Sequence, residues 1–357
     1  MTKQLSTQYL LVKGTAGLGN RLLALVTALL YARLSDRTVS VDWRDAEYSS
    51  DGENVFFDLF DLVDIPHTRE IPTEGSVYPL LWKSALHRSI ESVLADDHAL
   101  VGVMGQSVFK KYAYDVETLD YDEDILIATG YTDEIDRMRG LLQAQLQPEW
   151  NGELNFETAS KGDIFEQVYH RHLRLAPAVQ QRFEAFRAEH FADKKVIGIH
   201  IRMSDKSISY PWYKQALADY VAHCPDACIF LATDNRDVEA ELNELYPNVV
   251  TLEKWLPEAG VKVHGNTDCP DLKEHAITAL LDVALLASCD YLIYSRTTSF
   301  GLIASFMTQI PLENQFDIQI YYDQMRKGLK YKVLEFNNKV KHKWRYWVSL
   351  LKLKEII

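Results

Sequence analysis

The chain has 357 residues, 47% of them hydrophobic and 25% charged, with 16 glycines and 11 prolines. That length supports two domains and an extension, and the composition excludes a collagenous, low-complexity or wholly disordered chain. The net charge of −13 excludes a general nucleic-acid binder. The charge is uneven: residues 326–357 carry ten basic residues against two acids, a net +8 that leaves −21 on the other 325.

Met1 to Tyr9 is polar, without an apolar stretch of signal-peptide length, and no uncharged run reaches the ~18 residues of a membrane span, so a cytoplasmic protein is expected. Tyr9 to Val12 reads as a strand and Gly14 to Gly19 as a glycine-rich turn. Leu22 to Leu34 reads as a helix that is apolar around most of its circumference. Thr38 to Val41 is a second strand, ending in Asp42-Trp43-Arg44. Strand, helix, strand is the βαβ unit of a parallel, doubly wound sheet. The turn is not a dinucleotide fingerprint, because Leu22 stands at the third glycine position, although Asp42 ends the second strand roughly where the fingerprint's acid would be. Its glycines let the backbone approach a ligand, with Asn20 and Arg21 expected to direct polar groups into the same space.

Residues 44–160 are aromatic, acidic and irregular, with one clear strand at Ile125 to Thr129. Asp120-Tyr121-Asp122-Glu123-Asp124 precedes that strand instead of ending it, which suits a solvated turn better than a metal-binding acid-x-acid motif. Helical patterns run from Ile164 to Phe191, broken near Pro177. A cleaner α/β unit follows: strands Val196–Ile201, Cys228–Ala232, Val249–Leu252 and Tyr291–Tyr294 alternate with helices Trp212–Ala222, Asp237–Leu245, His275–Ser288 and one starting at Ser299. In such sheets ligands bind beyond the carboxyl ends of the strands, so the chemistry is expected there, in a cleft between two domains.

His200 and Arg202 close the first strand of that unit, two residues apart and therefore on one side of it. A guanidinium there suits a diphosphate, with its paired donors and fixed charge; an ion pair with Asp205 is the competing reading. The last strand opens into Ser295-Arg296-Thr297-Thr298-Ser299-Phe300-Gly301. Hydroxyls and free N–H groups at a helix start form an anion site, or Thr298 or Ser299 simply caps the helix. Two anion-friendly strand ends in one sheet point to a pyrophosphate between them. Asp234 ends a third strand, and Asp282 sits in the apolar run Ala279 to Leu285. Asp282 is expected either to take a partner, such as a purine amine, or to lie on the solvent side of its helix.

Cys224, Cys228, Cys269 and Cys289 are too sparse for a disulfide scaffold, and Cys224-x-x-x-Cys228 lacks a second pair to complete a zinc site, so no metal is expected. In the tail, Val340, Trp344, Trp347, Val348 and Leu351 share one helical face amid lysines. That is a pattern for an anionic membrane surface, or for packing on the protein body.

Taken together, His200-Ile201-Arg202 with Asp205-Lys206, Phe230-Leu231-Ala232-Thr233-Asp234, Leu281-Asp282-Val283 through Cys289-Asp290-Tyr291, and Thr298-Ser299-Phe300 resemble the GDP-fucose-dependent fucosyltransferases, in particular their rhizobial nodulation and core α1,6 branches. The stretch Tyr31-Ala32-Arg33 to Asp42-Trp43-Arg44 resembles the nodulation branch as well. The resemblance implies a GT-B fold and an inverting, metal-independent transfer of fucose from GDP-fucose to a glycan hydroxyl. It implies that Arg202 binds the β-phosphate and stabilises departing GDP. His200 and Asp282 would lie by the nucleoside and guanine, Thr298, Ser299 and Phe300 would hold the pyrophosphate, and Asn20 would reach toward sugar and phosphate. Asp234 joins the donor-binding set. Two departures stand out: Met203 where members often carry a second basic residue, and Tyr210 where the core enzymes carry a catalytic glutamate. Asp205 is the candidate general base.

The expectation is therefore an α/β protein of GT-B type with two Rossmann-like domains, 1–185 on the acceptor side and 186–325 binding GDP-sugar, followed by a basic amphipathic tail, 326–357. A bacterial surface or lipid-linked glycan is the expected acceptor, in polysaccharide biosynthesis at the inner face of the membrane. The alternatives are a related enzyme using another donor such as GDP-mannose, and a catalytically inactive glycan-binding relative.

Overall fold

The computed structural model describes residues 7–96, 112–130, 132–150, 154–203, 210–257 and 268–325. They form two five-stranded parallel sheets. The first contains β1 (Tyr9–Lys13), β2 (Thr38–Asp42), β4 (His67–Thr68), β5 (Val77–Tyr78) and β6 (Ile125–Ala128), in the order β4-β2-β1-β6-β5. The second contains β8 (Val196–Ile201), β9 (Cys228–Thr233), β10 (Val249–Val250), β11 (Tyr291–Tyr294) and β12 (Gln315–Asp317), in the order β10-β9-β8-β11-β12. A separate antiparallel pair joins β3 (Phe60–Leu62) to β7 (Leu173–Leu175). Strands buried on both faces read as continuous apolar runs, and β8 and β9 are buried along their whole length.

The alternating unit matches its sequence pattern closely, down to the helix that begins at Ser299. Differences fall where signals are short. The 44–160 segment contributes β3, β4 and β5, strands of two or three residues that are too brief to show a period of two. The break near Pro177 contains β7, between helices Lys161–His172 and Pro177–His190. Pro177 opens the second helix, where its missing N–H has no intrahelical partner to lose. The acidic run 120–124 ties the first sheet's edge: the Asp124 carboxylate accepts the Ser76 backbone N–H and hydroxyl at 2.8 and 2.9 Å.

One apolar cluster runs from Leu10 and Leu22 in the first domain to Leu280 and Ile303 in the second. Helix Ser299–Met307 packs against both Leu18–Ser35 and Lys161–His172, with Phe306 5.6 Å from Phe165. Helix Pro177–His190 packs on Leu272–Ala287, and Phe186 lies 5.6 Å from Phe230 of β9.

The sequence expectation for Arg21 is corrected. Its guanidinium turns inward, donating to Asp45 Oδ1 at 2.7 Å and, through Nε, to the Ala16 carbonyl at 2.7 Å. It lies over the rings of Trp43 and Tyr48. Asp42, too, is spent inside the domain, on Lys13 and Arg44, each at 2.6 Å. Removing one partner of a buried ion pair leaves an uncompensated charge. The variant Asp45→Ala should therefore lose about 3–5 kcal/mol of unfolding free energy in urea titrations, whereas Asp61→Ala, whose pair with Arg69 is on the surface, should lose under ~1 kcal/mol.

Candidate active site

In the second sheet the chain winds outward from β8 through β9 to β10 on one side, then crosses back to β11 and β12 on the other, so the gap between β8 and β11 is a switch point of the winding. Residues following β1, β2, β8, β9 and β11 line a single cleft of about 470 Å³, a size suited to a small ligand. Asn20, His200, Arg202, Asp234, Asp282, Thr298, Ser299 and Phe300 all border it. Asp205 lies outside the described residues.

The cleft is closed on one side by two helix starts that touch. Helix Leu18–Ser35 begins with Gly17 as its cap residue, and a Cβ on Gly19 would sit 2.5 Å from the carbonyl carbon of Ser299 and 2.8 Å from the Phe300 nitrogen. Only a glycine permits that approach. The two positive helix ends meet at the cleft. Thr298 is the cap of the other helix: its Oγ1 accepts the Gly301 N–H and donates to the Ser295 carbonyl, both at 3.1 Å. The capping reading of this segment holds, with the Thr298 hydroxyl spent on the helix start, and Thr298, Ser299 and Phe300 all border the cleft.

His200 is buried and stacks on Phe300, ring centroids 4.9 Å apart. Its Nδ1 is buried without a hydrogen-bond partner among the described residues. Burial holds its pKa down to about 3, with Arg202 and Lys254 pushing the same way and Asp234 opposing them. It is a neutral imidazole at working pH. Asp234 Oδ1 accepts the Met203 backbone N–H at 2.8 Å, which fixes the chain just past Arg202.

Asp282 is buried, so the solvent-side reading fails. The protein itself supplies a partner that the sequence reading missed: Lys254, after β10, donates to Oδ2. The other oxygen, Oδ1, is buried with no partner among the described residues. Burial pushes this carboxyl above the usual range, against the pull of Lys254. Arg296 also borders the cleft, its Nε held by the carboxylate of Asp317 on β12. Glu47, Tyr48 and His275 are further polar or aromatic lining residues outside the predicted set. The signal for Arg296 was visible, since it lies in the same strand-end segment as Thr298; nothing local marks Lys254 or Glu47.

Three cations, Arg202, Lys254 and Arg296, thus border the cleft, and cations together with helix starts are the chemistry that suits a diphosphate. Among the described residues no group of three or more His, Cys, Asp or Glu side chains is gathered as a metal site, and no helix is long and apolar enough to cross a membrane. All four cysteines are free thiols. The basic tail, 326–357, lies outside the described residues.

No protein-family profile matches the chain. It is 24% identical to nodulation protein Z of Bradyrhizobium diazoefficiens over 87% of its own length and 81% of that protein's. It is likewise 24% identical to nodulation protein Z of Sinorhizobium fredii, over 87% and 94%. Among solved structures, NodZ α-1,6-fucosyltransferase co-crystallised with GDP superposes with a TM-score of 0.55 at 19% identity, covering 85% of this chain and 93% of that one. A variant of Arabidopsis thaliana FUT1 in complex with GDP gives 0.51 at 16% identity, covering 87% and 70%. The fold is therefore the GT-B arrangement that the motifs implied, and the resemblance read from those motifs meets relatives of the same kind in sequence and in architecture.

The state of His200 has a measurable consequence. Its pKa is depressed in the folded protein to about 3, whereas the unfolded chain takes up that proton near pH 6.5. Stability from this group is therefore complete above about pH 6.5 and declines as the pH falls toward 3. Between pH 7 and 5 the parent should lose roughly 1–2 kcal/mol more unfolding free energy than His200→Gln, measured by urea titration at each pH.

Proposed function

We propose that this chain is an inverting, metal-independent glycosyltransferase that moves fucose from GDP-fucose to a glycan hydroxyl. The observation that carries this reading is the juxtaposition of Arg202 with the start of helix Ser299–Met307, at the ends of neighbouring strands β8 and β11 and on one cleft. The relatives support the same donor: a NodZ structure is described as soaked with GDP-fucose.

In this reading residues 186–325 hold GDP and 1–185 present the acceptor. Asp282 Oδ1 accepts the ring N–H and amine of guanine, donors that adenine lacks in that arrangement, and Lys254 keeps the carboxylate charged and in place. His200, uncharged and stacked on Phe300, walls the nucleoside without adding charge to it. Arg202 meets the charge that builds on the β-phosphate as the bond to the sugar breaks. Thr298 shapes the helix start, Ser299 and Phe300 offer it to the pyrophosphate, and Asn20 reaches the donor from the other domain. Asp234 positions the Arg202 segment. The setting is the cytoplasm, with a bacterial surface or lipid-linked glycan as acceptor and the basic tail on the inner membrane face.

Two measurements test this. In a thermal-shift panel, GDP should raise the melting temperature more than UDP, ADP or NAD; stabilisation by NAD alone would overturn the donor assignment. Arg202→Ala should lower turnover of GDP-fucose by ~10²-fold or more, the scale of a lost preorganised charge, while retaining the parent's unfolding midpoint.

A further inference from the structure

We infer that Glu47 is the general base of the transfer, the carboxylate that takes the proton from the attacking hydroxyl; this rests on the fucosyl-transfer reading above. Inversion requires the acceptor oxygen to enter on the face of the sugar opposite the departing diphosphate. The base must therefore stand on the wall facing the one that holds the phosphates. Three carboxylates border the cleft among the described residues: Glu47, Asp234 and Asp282. Asp234 and Asp282 belong to the second domain, on the nucleotide side. Asp234 accepts the Met203 N–H, and Asp282 is paired with Lys254. Glu47 alone of these comes from the first domain, in the turn after β2.

That turn is rigidly held. Asp45 Oδ1 accepts the Glu47 backbone N–H at 3.0 Å and the Arg21 guanidinium at 2.7 Å, and the Asp45 carbonyl accepts the N–H groups of Tyr48 and Ser49. Tyr48 is buried beneath the Arg21 guanidinium, 4.3 Å from its ring centre. Glu47 itself is half-buried, on a frame fixed from both sides. The backbone that carries this carboxylate is thus set before an acceptor arrives.

The step balances as follows. The acceptor O–H proton passes to the Glu47 carboxylate while the oxygen lone pair bonds to the anomeric carbon. The bond from that carbon to the β-phosphate oxygen breaks, and its electron pair leaves with GDP toward Arg202. The protonated carboxyl then returns its proton to water. Asp205 is the competing base; it follows Arg202 by three residues, within the segment that grips the leaving group.

The test uses the full chain, GDP-fucose as donor, and water or a panel of methyl glycosides as acceptor, with GDP release followed from pH 5 to 9. Calorimetric GDP titration runs alongside. Glu47→Gln should lower turnover by ~10²-fold or more and flatten the acid limb of the pH profile. GDP affinity should stay within about twofold, and Glu47→Asp should recover part of the rate. The assignment is overturned if Glu47→Gln keeps the parent's rate and acid limb. It is equally overturned if Asp205→Asn removes that limb instead, or if Glu47→Gln weakens GDP binding as much as it slows turnover. A parent protein that neither binds GDP nor releases it from GDP-fucose would sink the fucosyl-transfer reading itself, a result visible before any variant is compared.

Discussion

Where Gly19 meets the backbone of Ser299 and Phe300, two helices from different domains touch start to start, closer than any side chain would allow. The cleft depends on that approach. Each helix directs a partial positive charge at the same small volume, and neither end has to move to do so. A β-carbon at residue 19 would push the helices apart and open the floor of the site. The shared apolar core on either side, from Leu22 to Ile303, keeps the contact pressed together.

Two of the charges around this floor are held by a carboxylate, and the backbone beside the third is pinned. Lys254 rests on Asp282, Arg296 on Asp317, and the chain after Arg202 is pinned by Asp234. Such anchoring orients dipoles and charges before a ligand arrives, which is how a protein stabilises a leaving anion without the reorganisation cost that water imposes. The carboxylates of Asp282 and Asp317 thus serve to hold cations in place at the cleft.

What could be read from the sequence was the grammar of strand ends. β8, β11 and the helix from Ser299 follow from long apolar runs bounded by polar turns, and the cleft-lining residues at those ends follow from the fold rule that ligands sit there. Contacts between distant segments were not legible. Lys254 lies 28 residues from Asp282 in an irregular stretch, and no local period announces the pairing. Arg21 looked like a cleft residue because its neighbour Asn20 is one, yet adjacent helix positions point in different directions, and Asp45, 24 residues on, draws it inward. The edge strands β4 and β5 were too short to carry a pattern.

Asp45 does two jobs with one carboxylate, neutralising a buried guanidinium and fixing the turn that carries Glu47. Its neighbours Ala46, Ser50 and Glu53 are exposed and stand outside that clamp. The loop is thus split into a frame that tolerates little change and a rim that tolerates much. Substitutions at the rim leave the Arg21–Asp45 pair and the seat of Glu47 untouched, so variation in this short segment is confined to positions that carry no part of the buried ion pair.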